Sequence, residues 1–428
     1  MIENNLQSDK KKPASLGFAL ERLGQQIWAA GIEDGSLRLG VNPKPDNQYM
    51  QVESYWVIPS AKNPKFLVPD ASSKLAAGAL TSYRGLRNGT ANAARFILGL
   101  VAKSGLPLSR DRLVVQLRTG TANCSPLSIL KQKMDFEQLH AATGVRLGLN
   151  AKPTLHLFDE TGNPVGFAKM SWNNASTTLV ENETRVLGEL DGGSAALRVP
   201  RVLDHGVIQG RSYLVTQPLP AGVRGLSQDD PAPTPVELQA IAPLSGESTL
   251  LEMKFFLGLQ TKLDDLIVLD SGCGLCDPVQ ELSRRLTQHD RKLPVATRWH
   301  GDLVPWNCAR DRDGTLWCWD LETSDDGPAA GMDILHWHFN VRRRGKSQGA
   351  VADFEGAVQD SRLHHRALGL DDIAVSLVAA VYALKLVERA WTLASNSSGW
   401  DRSWISAEEL SLLLGAARTQ LDSPIGRR

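Results

Sequence analysis

The periodic segments of this chain are segregated. From residue 113 to 217 they are short and strand-like, and beyond a proline-rich break they are helical. That order points to an α+β protein, with sheet and helices in separate layers, and away from an alternating α/β fold. Strands are expected at 113–117, 145–149, 154–158, 165–170, 201–203 and 213–217. A helix over 126–142 should separate the first two, and a second over 178–190 carries Leu179, Val186, Leu187 and Leu190 on one apolar face. Pro218 and Pro220, then Pro231, Pro233 and Pro235, interrupt either kind of element. Helices are then expected at 250–263, 278–286, 351–367, 371–393 and 407–421.

The region before residue 113 carries no catalytic pattern. It reads as a helix over 16–28, a hairpin of 55–58 and 65–68, and helical stretches at 75–83 and 91–102. Residues 1–15 read as a disordered leader, polar and basic, without the apolar stretch of a secretory signal. The longest apolar run, 373–384, falls short of the roughly 20 residues that cross a bilayer and should be a buried helix. Lys plus Arg and Asp plus Glu are each 47, so no net field draws the chain to nucleic acid or an anionic membrane. Five cysteines in 428 residues fit a reducing compartment, the cytoplasm. Cys273 and Cys276 form a C-x-x-C, but Cys308 and Cys318 are spaced too widely for the usual closed zinc site, so buried thiols are the expectation.

One segment carries chemistry: His300-Gly-Asp-Leu-Val-Pro-Trp-Asn307, a turn at residues 311–314, then Asp320-Leu-Glu322. An Asp with an Asn five residues on can aim one side chain at an accepting hydroxyl and the other at a metal. A hairpin turning at Asp313-Gly314 returns Asp320 beside Asn307, adding an oxygen ligand suited to magnesium.

H-G-D-x-x-P-x-N followed by a short hairpin and D-x-E resembles the motif of the aminoglycoside phosphotransferase and choline kinase family, over about 35 residues. The resemblance implies a bilobal protein-kinase-like fold: an antiparallel-sheet N-lobe at 113–219, a mainly helical C-lobe at 220–428, and residues 16–112 as an additional α/β appendage. It implies Asp302 as catalytic base, His300 as a brace for the loop, and Asn307 and Asp320 as Mg²⁺ ligands. Asp333, in P-x-x-G-M-D-I-L, would anchor the loop. Lys169 at a strand end would hold the phosphates and Glu183 on the following helix would hold Lys169, with Glu181 as a competing partner. There is no G-x-G-x-x-G; Asn150 and Lys152 are the phosphate-loop candidates, and Gln217 falls where a purine edge would pair.

The implied activity is transfer of the γ-phosphate of ATP or GTP to a hydroxyl of a small molecule. A nucleotide-binding pseudokinase, with a protein partner on the appendage, and a kinase acting on a protein or polysaccharide remain open. Asp325 and Asp326 would suit a cationic acceptor and Arg342-Arg-Arg344 an anionic one. His336-Trp-His338 reads as packing.

Overall fold

The computed structural model describes residues 16–82, 89–146, 152–270, 272–345, 347–396, 400 and 404–422. The expected leader and Asn150 lie outside the described residues. The chain forms two units, one from residues up to 181 with 202–218, the other from 182–201 with 219 onward.

The first unit runs α1 (Phe18–Ile27), α2 (Ala29–Glu33), β1 (Leu37–Val41), β2 (Tyr49–Ile58), β3 (Phe66–Pro69), α3 (Ser73–Thr81), α4 (Gly89–Lys103), β4 (Arg112–Arg118), α5 (Pro126–Lys133), β5 (His140–Gly144), β6 (Thr154–Phe158) and β7 (Pro164–Met170). Next come α6 (Asn174–Leu190), which continues into the second unit, β8 (Leu197–Arg198) in that unit, and β9 (Val202–Ile208) and β10 (Arg211–Thr216) back in the first. Nine strands form one antiparallel sheet in the order β1-β4-β2-β3-β5-β6-β7-β10-β9. The segment expected as an appendage is therefore continuous with the rest, because β3 pairs with β5 through Phe66↔Gly144 and Leu67↔Thr143.

The alternation of strand side chains explains why both faces of this sheet are covered. Leu113, Val115 and Leu117 join Leu20, Leu23, Ile27 and Trp28 in one core, while Val68 and Phe158 pack with Leu75, Ala79 and Leu80 of α3 on the other side. Burying each large apolar side chain contributes about 1.5–3 kcal/mol. The first helix after β4 is shorter than its periodicity suggests. Ser125 caps α5 and Pro126 opens it, but the chain leaves the helix at Met134 and Asp135 takes a left-handed φ of 56°. The chain beyond this turn pairs with β3 and β6 at 140–144, and of the strand expected at 145–149 residues 147–149 lie outside the described residues. Sheet partners on both sides outweigh local propensity here.

The second unit continues with β11 (Arg224–Gly225), α7 (Pro235–Ile241), β12 (Leu244–Ser248), α8 (Lys254–Leu269), α9 (Cys276–Leu286), β13 (Leu293–Ala296), β14 (Arg298–Trp299), β15 (Cys308–Arg310), β16 (Leu316–Cys318) and β17 (Asp325–Asp326). It ends with α10 (Met332–Arg344), α11 (Ala350–Asp360), α12 (Arg362–Ala367), α13 (Asp372–Asn396) and α14 (Ala407–Asp422). Helix α13 is the axis of its core; every residue from Leu377 to Leu384 is fully buried, against α8, α9 and α14. The proline-rich connector does more than break the chain. Thr234 and Glu237 form a reciprocal capping box and Pro235 fills the first helical position, so it starts α7. Among the described residues no helix is long and apolar enough to cross a membrane.

Candidate active site

The acidic loop, the hairpin beyond it and the side chains that grip them all belong to the second unit. Strand β14 runs into His300-Gly301-Asp302, and a short 3₁₀ turn, Pro305–Asn307, closes the loop. Gly301 is required twice over. Its φ is 81°, and a Cβ there would stand 2.2 Å from the carbonyl oxygen of Thr323. The loop thus lies directly on the chain beyond Asp320, and the Ser324 hydroxyl donates to the Trp299 carbonyl at 2.6 Å to hold it there.

Asn307 donates through Nδ2 to the carbonyl oxygen of Asp302 at 3.0 Å and to its carboxylate Oδ2 at 2.9 Å. A metal would take the other atom of this amide, its oxygen. Strands β15 and β16 pair through Cys308↔Cys318, and the Trp319 amide donates to the Asn307 carbonyl at 3.2 Å. The hairpin therefore brings Asp320 alongside Asn307, as its length suggests. Asp320 sits in the left-handed region at φ 71°, unusual for a residue with a side chain and costing on the order of 1 kcal/mol.

Helix α6 reaches the same place. Asn182 donates to the carbonyls of Glu322 and Ser324 at 3.0 and 2.7 Å, and Glu183, buried, lies beside Asp320 and Glu322. Oxygens of Glu183, Asp320 and Glu322 lie within 4.8 Å of one another, the one such grouping of three or more His, Cys, Asp or Glu among the described residues. Three carboxylates this close repel unless positive charge is near. An all-oxygen donor set of this kind suits a hard cation, so the residues fit Mg²⁺.

Beneath the loop, Asp333 at the start of α10 accepts the His300 amide with both oxygens, at 3.1 and 3.0 Å. Burial pushes its pKa up to about 7 against those backbone hydrogen bonds. His300 accepts from the Asp302 amide through Nδ1 at 3.3 Å, and burial lowers its pKa to about 4, so it is neutral and acts as a brace.

The carboxylate of Asp302 is gripped from two further helices. His336 of α10 lies with Nε2 3.2 Å from Oδ1, while its Nδ1 lies 3.2 Å from the Tyr382 hydroxyl of α13. Burial lowers the His336 pKa and keeps the ring neutral, so the tautomer that serves both contacts has the tyrosine donating to Nδ1 and Nε2–H donating to Asp302. Arg389 of α13 donates to the Gly301 carbonyl and holds its guanidinium 3.7 Å from Asp302 Oδ1. Burial works against ionisation of Asp302, but the His336 hydrogen bond and the Arg389 charge outweigh it and hold the carboxyl well below the usual carboxylate range. About a third of its side chain remains exposed, which leaves room for a hydroxyl to approach. His336, Tyr382 and Arg389 are positions that sequence reasoning did not select. The signal for His336 was the helical spacing Asp333, His336, Asn340 along α10, a helix absent from the expected set.

This grip sets a pH profile. Replacing Arg389 by glutamine removes the cation beside Asp302, so the carboxyl pKa must rise and the acid limb of any Asp302-dependent activity must move to higher pH, by about one unit for each ~1.4 kcal/mol of lost interaction. Arg389→Lys should restore much of the shift. A profile unmoved by the substitution would contradict the coupling.

Of the nucleotide candidates, Glu183 belongs to the second unit and Lys169, Lys152 and Gln217 to the first. Lys169, on β7 opposite Thr154 and Leu214, is half-buried in the first unit, as is Gln217 just after β10, and Lys152 is buried there. Cys308 and Cys318 are buried cross-strand neighbours in the second unit, with free thiols.

Fold and site together define a mixed α+β protein with an antiparallel-sheet unit and a helical unit that carries an acidic loop of the H-G-D-x-x-P-x-N kind. No family model and no curated protein sequence matches the chain. Among solved structures it is similar to a candidate fructosamine-3-kinase of Haemophilus somnus 129PT, at 14% identity and a TM-score of 0.40, over 69% of this chain and 96% of that one. It is also similar to the choline kinase LicA of Streptococcus pneumoniae (15%, TM-score 0.39, 68% and 98%) and to APH(2")-IIa in its gentamicin complex (11%, TM-score 0.35, 68% and 99%).

Proposed function

We propose that this chain transfers the γ-phosphate of ATP or GTP to a hydroxyl group of a small molecule. The observation that carries the reading is the packing of Asp302 against Asn307, with the hairpin that returns Asp320 to the same place. In the transfer, the acceptor oxygen attacks the γ-phosphorus, the bond from that phosphorus to the bridging oxygen breaks, and the nucleoside diphosphate leaves. Asp302 orients the hydroxyl and takes its proton. Because the carboxyl is a weak base under its hydrogen bonds, proton transfer belongs late in the step, as a loose transition state requires.

Asn307 and Asp320 would hold Mg²⁺, and Glu322 and Glu183, whose oxygens lie within 4.8 Å of that of Asp320, would be further oxygen donors. The ion, when bound, neutralises charge on the phosphates. Lys169, Lys152, Asn150 and Gln217 are the nucleotide contacts in this reading, and His336, Tyr382 and Arg389 position the base.

The test has two stages. Thermal shift should show stabilisation by nucleoside triphosphate that depends on magnesium. Labelled γ-phosphate should then appear in products of low mass when a cell extract, depleted of macromolecules, is supplied as acceptor. Magnesium-dependent binding with label only in the macromolecular fraction would replace the reading with a protein or polysaccharide kinase; binding with no transfer at all would make the chain a nucleotide-binding module.

A further inference from the structure

A cavity of about 200 Å³ opens near the loop, walled by Lys254, Phe255 and Lys262 of α8, by Asp325 and Asp326 of β17 and by Lys385 of α13. Chain geometry sets its distance from the base. Asp325 pairs with Trp299, three residues before Asp302, and three residues span at most about 10 Å. Lys385 stands one helical turn, about 6 Å, before Arg389, which touches both Gly301 and Asp302. Two walls of the cavity thus belong to elements that lead straight to the loop, Asp325 beside the strand that enters it and Lys385 on the helix that holds Gly301 and Asp302 through Arg389.

The charges of this cavity read differently folded than in sequence. Asp325 and Asp326 together suggest a seat for a cation, but both are already paired. Asp325 meets Lys385 at 2.8 Å, and Asp326 meets Arg185 at 3.2 Å. Burial opposes ionisation of Asp325, yet Lys385 and, from farther off, the charge of Lys262 outweigh it and hold its carboxyl below the usual range. Lys385 in turn is shared with Glu388 at 2.8 Å. The arginines 342 and 343 are also engaged, with Asp360 and Glu409 at 2.8 Å each, and Arg344 lies over the Trp306 ring. Of the cavity's charged groups, Lys254 and Lys262 are the ones that form no ion pair among the described residues. Both are exposed at the rim, and Lys254 occupies the first position of α8, where the helix dipole adds to its charge.

We propose that this cavity receives the acceptor, and that the acceptor is a small hydroxyl compound carrying an oxyanion group, carboxylate or phosphate, bound by Lys254 and Lys262. The inference rests on the phosphotransferase reading above. Phe255 and Leu259 supply an apolar floor for the carbon skeleton, and the paired Asp325 offers a fixed acceptor for a second hydroxyl. A cationic acceptor would meet the ammonium groups of Lys254 and Lys262 at the rim and that of Lys385 within.

The experiment separates the metabolites of a cell extract by ion exchange into anionic, neutral and cationic pools and supplies each with labelled ATP, magnesium and the full chain. Label should enter the anionic pool. The Lys254→Glu/Lys262→Glu variant should lose tenfold or more of that transfer rate at limiting acceptor, while the corresponding arginine variant keeps it and the calorimetric affinity for MgATP is unchanged in both. Prior treatment of the pool with alkaline phosphatase tells the two oxyanions apart, abolishing the signal only where the acceptor carries a phosphomonoester. Label in the cationic or neutral pool, or charge reversal without effect, overturns the proposal and leaves the phosphotransferase reading standing. Label in no pool removes that reading and the proposal together.

Discussion

Replacing Asp302 by asparagine is expected to lower phosphate transfer by roughly 10²–10⁴-fold while MgATP still binds, because the loss falls on the acceptor's proton and orientation and not on the nucleotide. The substitution is conservative in shape, and that makes it informative. Asn307 and His336 both donate to the Asp302 carboxylate, and an amide oxygen can still accept from one of them. The loop also keeps its backbone anchors, the Asp302 amide on His300 and the His300 amide on Asp333. A fall in turnover with unchanged MgATP affinity is the expected pattern, together with a somewhat lower melting temperature, because the amide keeps one of the two hydrogen bonds and leaves Arg389 without its partner charge. Turnover equal to that of the wild type would remove Asp302 from the reaction.

The second large effect is expected at Asp320. Asp320→Asn should reduce turnover at least as far and, unlike the Asp302 variant, should also weaken magnesium nucleotide binding, by about 10–100-fold as read by calorimetry. Asparagine is the right probe because it tolerates the left-handed φ of 71° that Asp320 adopts, whereas alanine would add backbone strain to the loss of the ligand. A variant that keeps the wild-type melting temperature without nucleotide yet binds MgATP poorly has lost a ligand and not its fold.

The parts of the site that were legible in the sequence are those held together by short stretches of chain. Asp302 and Asn307 share one loop, and Asp320 returns through a hairpin whose turn is marked by Asp313-Gly314, so spacing alone places them. His336 and Arg389 reach Asp302 across 34 and 87 residues, and no local pattern encodes such a meeting. His336 was readable only as one histidine among packed aromatics. The stretch that bears it holds Trp337 and Phe339 in the core, so its sequence reads as packing.

The same division holds for the fold. The antiparallel sheet, the long buried helix at 372–396 and the hairpin of β2 and β3 follow from periodicity and turn residues. Registry between β3 and β5 does not. That pairing joins residues 16–112 to the remaining strands, and it depends on edges that complement one another only once folded. The aspartates at 325 and 326 teach a related lesson about charge. As a pair in sequence they suggest a cation, but Lys385 and Arg185, from α13 and α6, answer them in three dimensions.

The proposed chemistry requires a divalent ion held by Asn307 and Asp320 next to the carboxylate of Asp302. A crystal structure with manganese and a non-hydrolysable ATP analogue measures this directly through the anomalous signal of the metal. The ion should lie roughly 2.0–2.2 Å from the Asn307 amide oxygen and from an Asp320 carboxylate oxygen, bridging to the phosphates. Manganese bound elsewhere, or nucleotide bound with Asp320 making no contact to the metal, would contradict it.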